Sequence, residues 1–340
     1  MTIARVKALN LAWWVLPAGL TMSFVVAVAV GAVYLSPSQV VSALSGQGEG
    51  GLAKDIVQAI RLPRALLAAG VGAVLAICGA MLQGLFRNPL ADPSLIGVTA
   101  GASLGACLAI LLGAEVAGGF GSLPVVSISA FFSGLLAVTL VYRVAKSING
   151  TSVATMLLMG IAVTALSASL IGLMEYFADN DTLRRMSLWL MGGLDAASYP
   201  RAFLILAVLC GLLASLPGFG SSLNVLLLGE SQARHLGVDV ERVKTSLIVL
   251  VAAGVGTSVA VAGSIAFVGL VVPHIVRLWV GPDHRQLLPL SALAGASLLL
   301  VSDTLARTII APVEIPVGLI TALIGVPFFI SLLRKNRGSL

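Results

Sequence analysis

Residues 65–86 read ALLAAGVGAVLAICGAMLQGLF, a run without a single charge. A run of this length forms a helix of about 33 Å, enough to cross the ~30 Å hydrocarbon core of a bilayer. Within it lies Ala68-Ala69-Gly70-Val71-Gly72, which returns unchanged as Ala252-Ala253-Gly254-Val255-Gly256 at an offset of 184. The same offset carries Gly79 onto Gly263 and Pro89 onto Pro273. Further on, Ala100-Gly101-Ala102-Ser103-Leu104 recurs as Ala294-Gly295-Ala296-Ser297-Leu298 at an offset of 194, the extra ten residues falling on the hydrophilic stretch around Gly281-Pro282-Asp283-His284-Arg285. Two identities in order, with a glycine and a proline in step between them, predict an internal repeat over about 60–175 and 244–335. Small residues at these positions also let helix backbones approach closely within a membrane.

The rest of the chain agrees with that first run. Of 340 residues, 58% are hydrophobic and 10% charged, and the mean hydropathy is +1.06. Soluble domains carry about 25% charged residues, so too little polar side chain is present to cover a water-facing surface. A soluble enzyme, a nucleic-acid-binding domain and a disordered regulator are excluded. The net charge of +6 comes from 15 Arg and 5 Lys scattered as ones and twos. That is the distribution of loop anchors, not of a basic stripe for nucleic acid. Cys78, Cys107 and Cys210 all lie in apolar segments without a CxxC pair, so they read as packing residues and no metal site is expected.

Charges are costly in the bilayer and therefore mark span ends. Uncharged stretches run 8–48, 65–86, 93–114, 116–142, 147–174, 202–229, 245–276, 286–302 and 315–333. The stretch 245–276 is long enough for one helix and the start of another, with Pro273 as the expected break. The expectation is one all-α, polytopic unit over 1–340 with about ten transmembrane helices. Arg5 and Lys7 before a long apolar run, with Ala27-Val28-Ala29 behind, resemble a signal peptide, but the run outlasts a normal h-region and a retained first span is expected.

With ten spans, one face collects Arg5, Lys7, Arg87, Arg143, Lys146, Arg234, Arg242, Lys244, Arg277, Arg285, Arg334, Lys335 and Arg337. The positive-inside rule places that face, and both termini, in the cytoplasm. The first copy of the repeat then enters the membrane from outside and the second from inside. The halves are inverted, a construction recurrent in transporters.

Two hydrophilic features stand out. Between the sixth and seventh spans, within a loop of about 218–244, lies Leu228-Gly229-Glu230-Ser231-Gln232-Ala233-Arg234-His235-Leu236-Gly237-Val238-Asp239. Glu230 to Leu236 is short, mixed-charge and helix-competent, with Gly237 as its C-cap. A surface helix of this kind suits docking of a soluble partner. On the opposite, slightly acidic face, Arg61 and Arg64 flank Pro63, which suits a first helical turn. Arginine is well suited to bidentate pairing with carboxylates.

The loop pattern resembles the E-x-x-A-x-x-x-L-G coupling loop of ATP-binding-cassette importer permeases. Arg61-Leu62-Pro63-Arg64, Gln83 with Asn88-Pro89-Leu90-Ala91-Asp92-Pro93, and Phe267-x-Gly269-Leu270-x-x-Pro273-His274-x-x-Arg277 fit one family, as do Asp283-His284-Arg285, Leu293-Ala294-Gly295-Ala296 and Glu314-Ile315-Pro316-Val317-Gly318. In that order they resemble the FecCD-type permeases that import iron-siderophores, haem and vitamin B12.

The resemblance implies the type II importer fold, a homodimer in the bacterial inner membrane, two cytoplasmic ATPases and a periplasmic substrate-binding protein. It implies that Glu230, Ala233, Arg234, Leu236 and Gly237 couple to the ATPase. Arg61, Arg64 and Arg307 would meet acidic residues of the binding protein, although Asp303, four residues before Arg307, is an equally good partner for it. Reversing Arg61 and Arg64 to Glu is then expected to weaken docking and leave the fold intact. Asn88 and Leu90, with Val153 and Ala154 at the start of the fifth span, would form a cytoplasmic gate. The vitamin B12 permeases carry a Thr-Ser pair where this chain has Val153-Ala154, a more apolar constriction.

No P-loop is present: Ala145 and Val243 precede Lys146 and Lys244 where glycine is required. Catalytic residues and cofactors are therefore expected to be absent from this chain, with ATP and Mg held by the partner ATPases. For cargo, haem is the first expectation, with ferric siderophores and vitamin B12 as alternatives. His235, His274 and His284 are expected to be structural or docking residues; Met156, Met159, Met174, Met186 and Met191 would suit a thioether wall for a large planar cargo, but helix packing is the expected role of most of them. An ion-coupled secondary transporter is the rival class, but it usually needs ionisable groups in mid-span.

Overall fold

The computed structural model describes residues 3–45, 51–113, 122–148 and 150–336. Helix α1 (Ile3–Ala29) ends well inside the first apolar stretch, and Pro37 opens α2 (Pro37–Ser45), where its missing N–H costs nothing. The short α3 (Leu52–Asp55) passes through a wide π-turn (Ile56–Arg61) into α4 (Leu62–Leu85). Pro63 is the reason for the wide turn, because it withholds one backbone donor and its ring crowds the preceding turn. Tyr199 Oη bonds the Gln58 carbonyl in that turn at 2.6 Å.

Beyond α4 come α5 (Val98–Leu111), α6 (Ser122–Ala145), a two-residue hairpin pairing Lys146–Ser147 with Gly150–Thr151, and α7 (Val153–Phe177). Then follow α8 (Asn180–Met191), α9 (Tyr199–Leu226), the six-residue α10 (Glu230–His235), α11 (Val240–Ala262), α12 (Val268–Val280), α13 (His284–Ala306) and α14 (Val317–Asn336). Starts are set by side-chain caps. Ser152 accepts from Thr155 N, Asp179 from Thr182 N, Asp239 from Arg242 N and Asp283 from Arg285 N.

Each of the ten expected spans is present as an apolar helix. Seven are long enough to cross a membrane, while Val98–Leu111, Val268–Val280 and Val317–Ser331 are shorter. At 1.5 Å per residue the two shortest reach only about 20 Å, so they need the irregular backbone that flanks them to complete a crossing. The start of the 116–142 stretch and Arg337 lie outside the described residues. One break is corrected. The chain leaves α11 at Gly263 (φ 67°) and enters α12 at Phe267 (φ 68°), with Pro273 inside α12 rather than between helices. The carbonyl that Pro273 leaves without an intrahelical donor is that of Gly269, and it faces the backbone of Gly79. A Cβ added to Gly79 would stand 1.8 Å from that oxygen.

Helix α4 is the hub, with 21 of its 24 residues buried. It packs against α13, α9, α12 and α11. Gly72 and Gly295 face each other so closely that a Cβ on either would lie 2.3 Å from the other's carbonyl oxygen. Without a hydrophobic driving force between helices in lipid, such backbone contact is what holds them.

The end of α4 and the start of α11 meet on one face of the bundle. There Arg87 lies by Gly229, and Lys244 reaches Glu230. The two helices bearing the Ala-Ala-Gly-Val-Gly signature are therefore antiparallel. Trp13 of α1 bonds Gln286 at the α10 face, and α14 starts at the opposite face, where Gly318 N meets the Gly192 carbonyl. Both described ends thus lie towards the α10 face. The second sequence match falls differently: its first copy is in α5, one helix after α4, and its second is in α13, two helices after α11. In element order it is α12, another short helix opened by a positive-φ residue, that corresponds to α5.

Candidate functional site

Three groups of predicted residues occupy the two faces. On the first, α10 is a single short helix that could not hold itself in water. Gly229 (φ 108°) turns the chain into it and Gly237 (φ 80°) turns it out, with Val238 N returning to the Ala233 carbonyl at 3.0 Å. Ala233 is fully buried and plugs the helix onto the bundle. Lys244 of α11, 2% exposed, places its ammonium 2.7 Å from Glu230 Oε1, 3.5 Å from Glu241 Oε1 and 2.8 Å from the Thr151 carbonyl. Glu241 in turn accepts from Thr151 N and from Thr151 Oγ1 at 2.7 Å. The coupling candidates are thereby wired to α11, to the hairpin and, through the adjoining Ser152 cap, to α7. Arg234 and Leu236 point outward, and Arg234 is only 4.0 Å-paired with Glu230. The sequence carries no signal for Thr151 and Glu241, nor for Lys244 in this role, because the hairpin that carries Thr151 joins the loop only in three dimensions.

The gate candidates sit on separate elements. Asn88 Oδ1 accepts from Leu90 N at 3.0 Å, forming a tight turn, and the Pro89 carbonyl approaches His274 Nδ1 at 3.4 Å. Val153 and Ala154 open α7, half-buried and exposed respectively. The segment after the Asn88 turn meets α7 one level deeper, where a Cβ on Gly160 would lie 1.8 Å from the Leu95 carbonyl. Beside this contact a cavity of about 550 Å³ opens between α5 and α7, with Ser94, Thr99, Ser103, Thr164 and Ser167 among apolar walls. Methionine does not line it. Met156 and Met186 are fully buried, Met159 and Met174 pack half-buried against the core, and Met191 is exposed, so packing accounts for the first four. His284 bonds Asn224 Oδ1 at 3.0 Å and is structural, as expected.

On the opposite face the three arginines are committed internally. Arg61, Arg64 and Arg307 are only 3%, 7% and 5% exposed. Arg61 donates to the carbonyls of Val28 and Ala29, orphan acceptors at the end of α1, and to that of Val33 in the bend beyond it. Arg64 Nε and Nη2 both lie 2.9 Å from Asp303 Oδ1, and Nη1 lies 2.8 Å from Glu314 Oε2. Arg307 Nε stands 3.4 Å from Asp303 Oδ2, an ion pair outside hydrogen-bond geometry, and Nη2 bonds the Ala27 carbonyl. None of the three guanidinium groups is therefore presented free on that face, as docking to a binding protein would require. Arg64→Glu would add a third carboxylate beside Asp303 and Glu314, so reversal disturbs folding before it tests docking. Glu314 lies 250 positions from Arg64, and local spacing carries no signal for that pair.

Antiparallel helices bearing the repeated signature, short broken helices beside a cavity and a short helix tied down by ion pairs at one face fit a multi-pass transport protein. The FecCD transport family matches residues 19–335, and the chain belongs to that family. A hemin transport system permease of Yersinia pestis is 43% identical over 288 residues, covering 82% of this chain and 83% of the relative. A cobalamin import permease of Halobacterium salinarum is 46% identical over 284 residues, covering 84% and 74%. Among solved structures, an inward-facing metal-chelate type ABC transporter superposes with a TM-score of 0.83 at 32% identity, covering 95% of this chain and 98% of that one. The chain is a multi-pass ABC importer permease.

Proposed function

We propose that this permease moves haem or a related iron chelate from periplasm to cytoplasm across the bacterial inner membrane. It would act as a homodimer with two ATP-binding-cassette subunits on the α10 face, which is then cytoplasmic along with both termini. A periplasmic binding protein would deliver cargo to the arginine face. The chain itself would hydrolyse nothing and hold no cofactor or metal, with ATP and Mg bound by the ATPases. The observation that carries the reading is the Lys244 junction. It ties α10 to α11 by a direct ion pair and reaches Thr151, which adjoins the Ser152 cap of α7, by a hydrogen bond, so a push on α10 would be carried towards the helix that borders the cavity.

Docking at the arginine face needs an exchange rather than a free site. Glu314, 41% exposed at its side chain, holds Arg64 Nη1, and an acidic residue of the binding protein would replace it there. The gate would be the turn at Asn88 and Leu90 with Val153 and Ala154 at the foot of α7. An ion-coupled mechanism is disfavoured because Asp303, the buried carboxylate of α13, lies in the last turn and is paired with Arg64.

A vitamin B12 cargo is the second reading, supported by the cobalamin-importing relative, and a ferric siderophore is a third. The test is reconstitution in liposomes with the ATPase and the binding protein, offering haem, a ferric siderophore and a corrinoid in turn. ATP-driven uptake of haem is expected. Uptake of the corrinoid or the siderophore alone would overturn the haem assignment.

A further inference from the structure

On the outer side of the bundle, α6 and α11 leave a groove of about 400 Å³ between them. Its walls are Leu135, Val138, Ile248, Val249 and Ala252, and its end carries Tyr142, Thr245, Arg143 and Lys146. Leu136, Leu140 and Val144 beside it are exposed and apolar, the surface of a span that faces lipid. At the α10 face the groove runs into a polar recess of about 630 Å³, which shares Tyr142, Lys146 and Thr245 and adds Arg234 and Glu241. A space that is apolar along the membrane normal and cationic at one end matches a lipid with an acyl chain and an anionic head.

The charges at this junction are unevenly committed. Glu241 is spent on Thr151 and Lys244. Thr245 Oγ1 donates to the Glu241 carbonyl at 2.8 Å, so the 2.7 Å contact with Tyr142 uses the phenol proton. Lys146 stands 5.8 Å over the Tyr142 ring, and Arg143 is exposed in the last turn of α6. Lys146 and Arg234 therefore line the recess with one carboxylate, Glu241, that already has partners, and Arg143 joins Lys146 where the groove meets it. Basic pockets between transmembrane helices at a leaflet surface are suited to phosphate headgroups.

We propose that this groove is a binding site for an anionic glycerophospholipid, with an acyl chain along Val138 and Val249 and its phosphate between Arg143 and Lys146. The occupant is a lipid rather than free phosphate because the cations open onto an apolar groove in the bilayer plane. The proposal rests on the multi-pass placement of the chain and not on its cargo.

The test is native mass spectrometry of the full-length permease taken from nanodiscs of equal parts dioleoyl-phosphatidylglycerol and dioleoyl-phosphatidylcholine. Preferential retention of phosphatidylglycerol is expected. Arg143→Gln/Lys146→Gln should cut the retention ratio by about tenfold or more, and Val249→Trp, which fills the groove, should reduce retention of both lipids. Arg5→Gln/Lys7→Gln removes the same charge from exposed positions on the same face and should leave the ratio unchanged. Equal loss in the two double variants would reduce the effect to general surface charge and overturn the site, as would retention unaffected by Arg143→Gln/Lys146→Gln. Displacement of the lipid by millimolar inorganic phosphate would show a phosphate pocket instead.

Discussion

Lys244 and Glu230 join α11 to α10 by a 2.7 Å ion pair in which the lysine side chain is 3% exposed and the glutamate 33%. A short helix of six residues has no stability of its own, so this pair and buried Ala233 decide whether α10 moves with the bundle or independently of it. The pair lies between the surface offered to a partner and the helices that border the cavity.

Lys244→Met keeps the packed stem but removes the charge that Glu230 and Glu241 share. Because both carboxylates are about one-third exposed, the loss of stability should be modest, ~1–2 kcal/mol. Coupling should suffer more. ATP hydrolysis by the assembled complex is expected to persist while cargo uptake per ATP falls severalfold, measured in the same proteoliposomes. An unchanged ratio would remove Lys244 from the coupling path.

Gly79→Ala should fail where Gly211→Ala succeeds. A Cβ at Gly79 would meet the Gly269 carbonyl at 1.8 Å, while one at Gly211 meets nothing within 4 Å. Both glycines lie in helices, so propensity alone favours alanine at each by about 0.5–1 kcal/mol. Overpacking of ~3 kcal/mol or more reverses the sign at Gly79. Thermal unfolding in detergent reads the difference directly.

The Arg64–Asp303 pair is structural first. Arg64→Ala leaves Asp303, 1% exposed, without its main counter-charge, and a cost of ~3–5 kcal/mol is expected. Replacing both by apolar residues of similar volume should recover most of it, a non-additivity that a double-mutant cycle measures. Glu314→Gln should do neither. It loosens the hold on Arg64 Nη1 without stranding a buried charge, and tighter capture of the binding protein is the expected outcome.

Asp179 caps α8 by accepting from Thr182 N at 2.7 Å. That bond, reinforced by the neighbouring contacts and Arg185, holds its carboxyl below the ordinary range. A depressed value means that the cap contributes above the ordinary carboxylate value of ~3.9 and is lost as pH falls through the lowered one. Hydrogen exchange across α8, corrected for intrinsic rates, should therefore be flat from neutral pH down to the ordinary carboxylate range and rise only below it. Asp179→Asn, which caps without titrating, should abolish that rise.

Charge scarcity made most of the fold legible. Where Arg87, Arg143, Arg242 and Asp283 interrupt the apolar text, helices end or begin within a few residues. Two things were not legible. The break at Gly263–Phe267 depends on backbone angles that Pro273, the louder signal, obscured. The rim arginines read as free because their partners lie at sequence distances of 28–33 residues for Arg61 and 239 and 250 for Arg64, beyond any local pattern. Helix α10 was readable because its mixed charge, its glycine caps and its length are all local. Its anchor on Thr151 is tertiary and was not.

We propose that a partner ATPase drives this permease through α10. The most direct measurement is cargo uptake into proteoliposomes holding the permease, the ATPase and a loaded binding protein, with nucleotide and ion gradients varied separately. Uptake that requires ATP, ignores an imposed proton or sodium gradient and falls in Lys244→Met is the predicted result. Uptake driven by an ion gradient without nucleotide would contradict it.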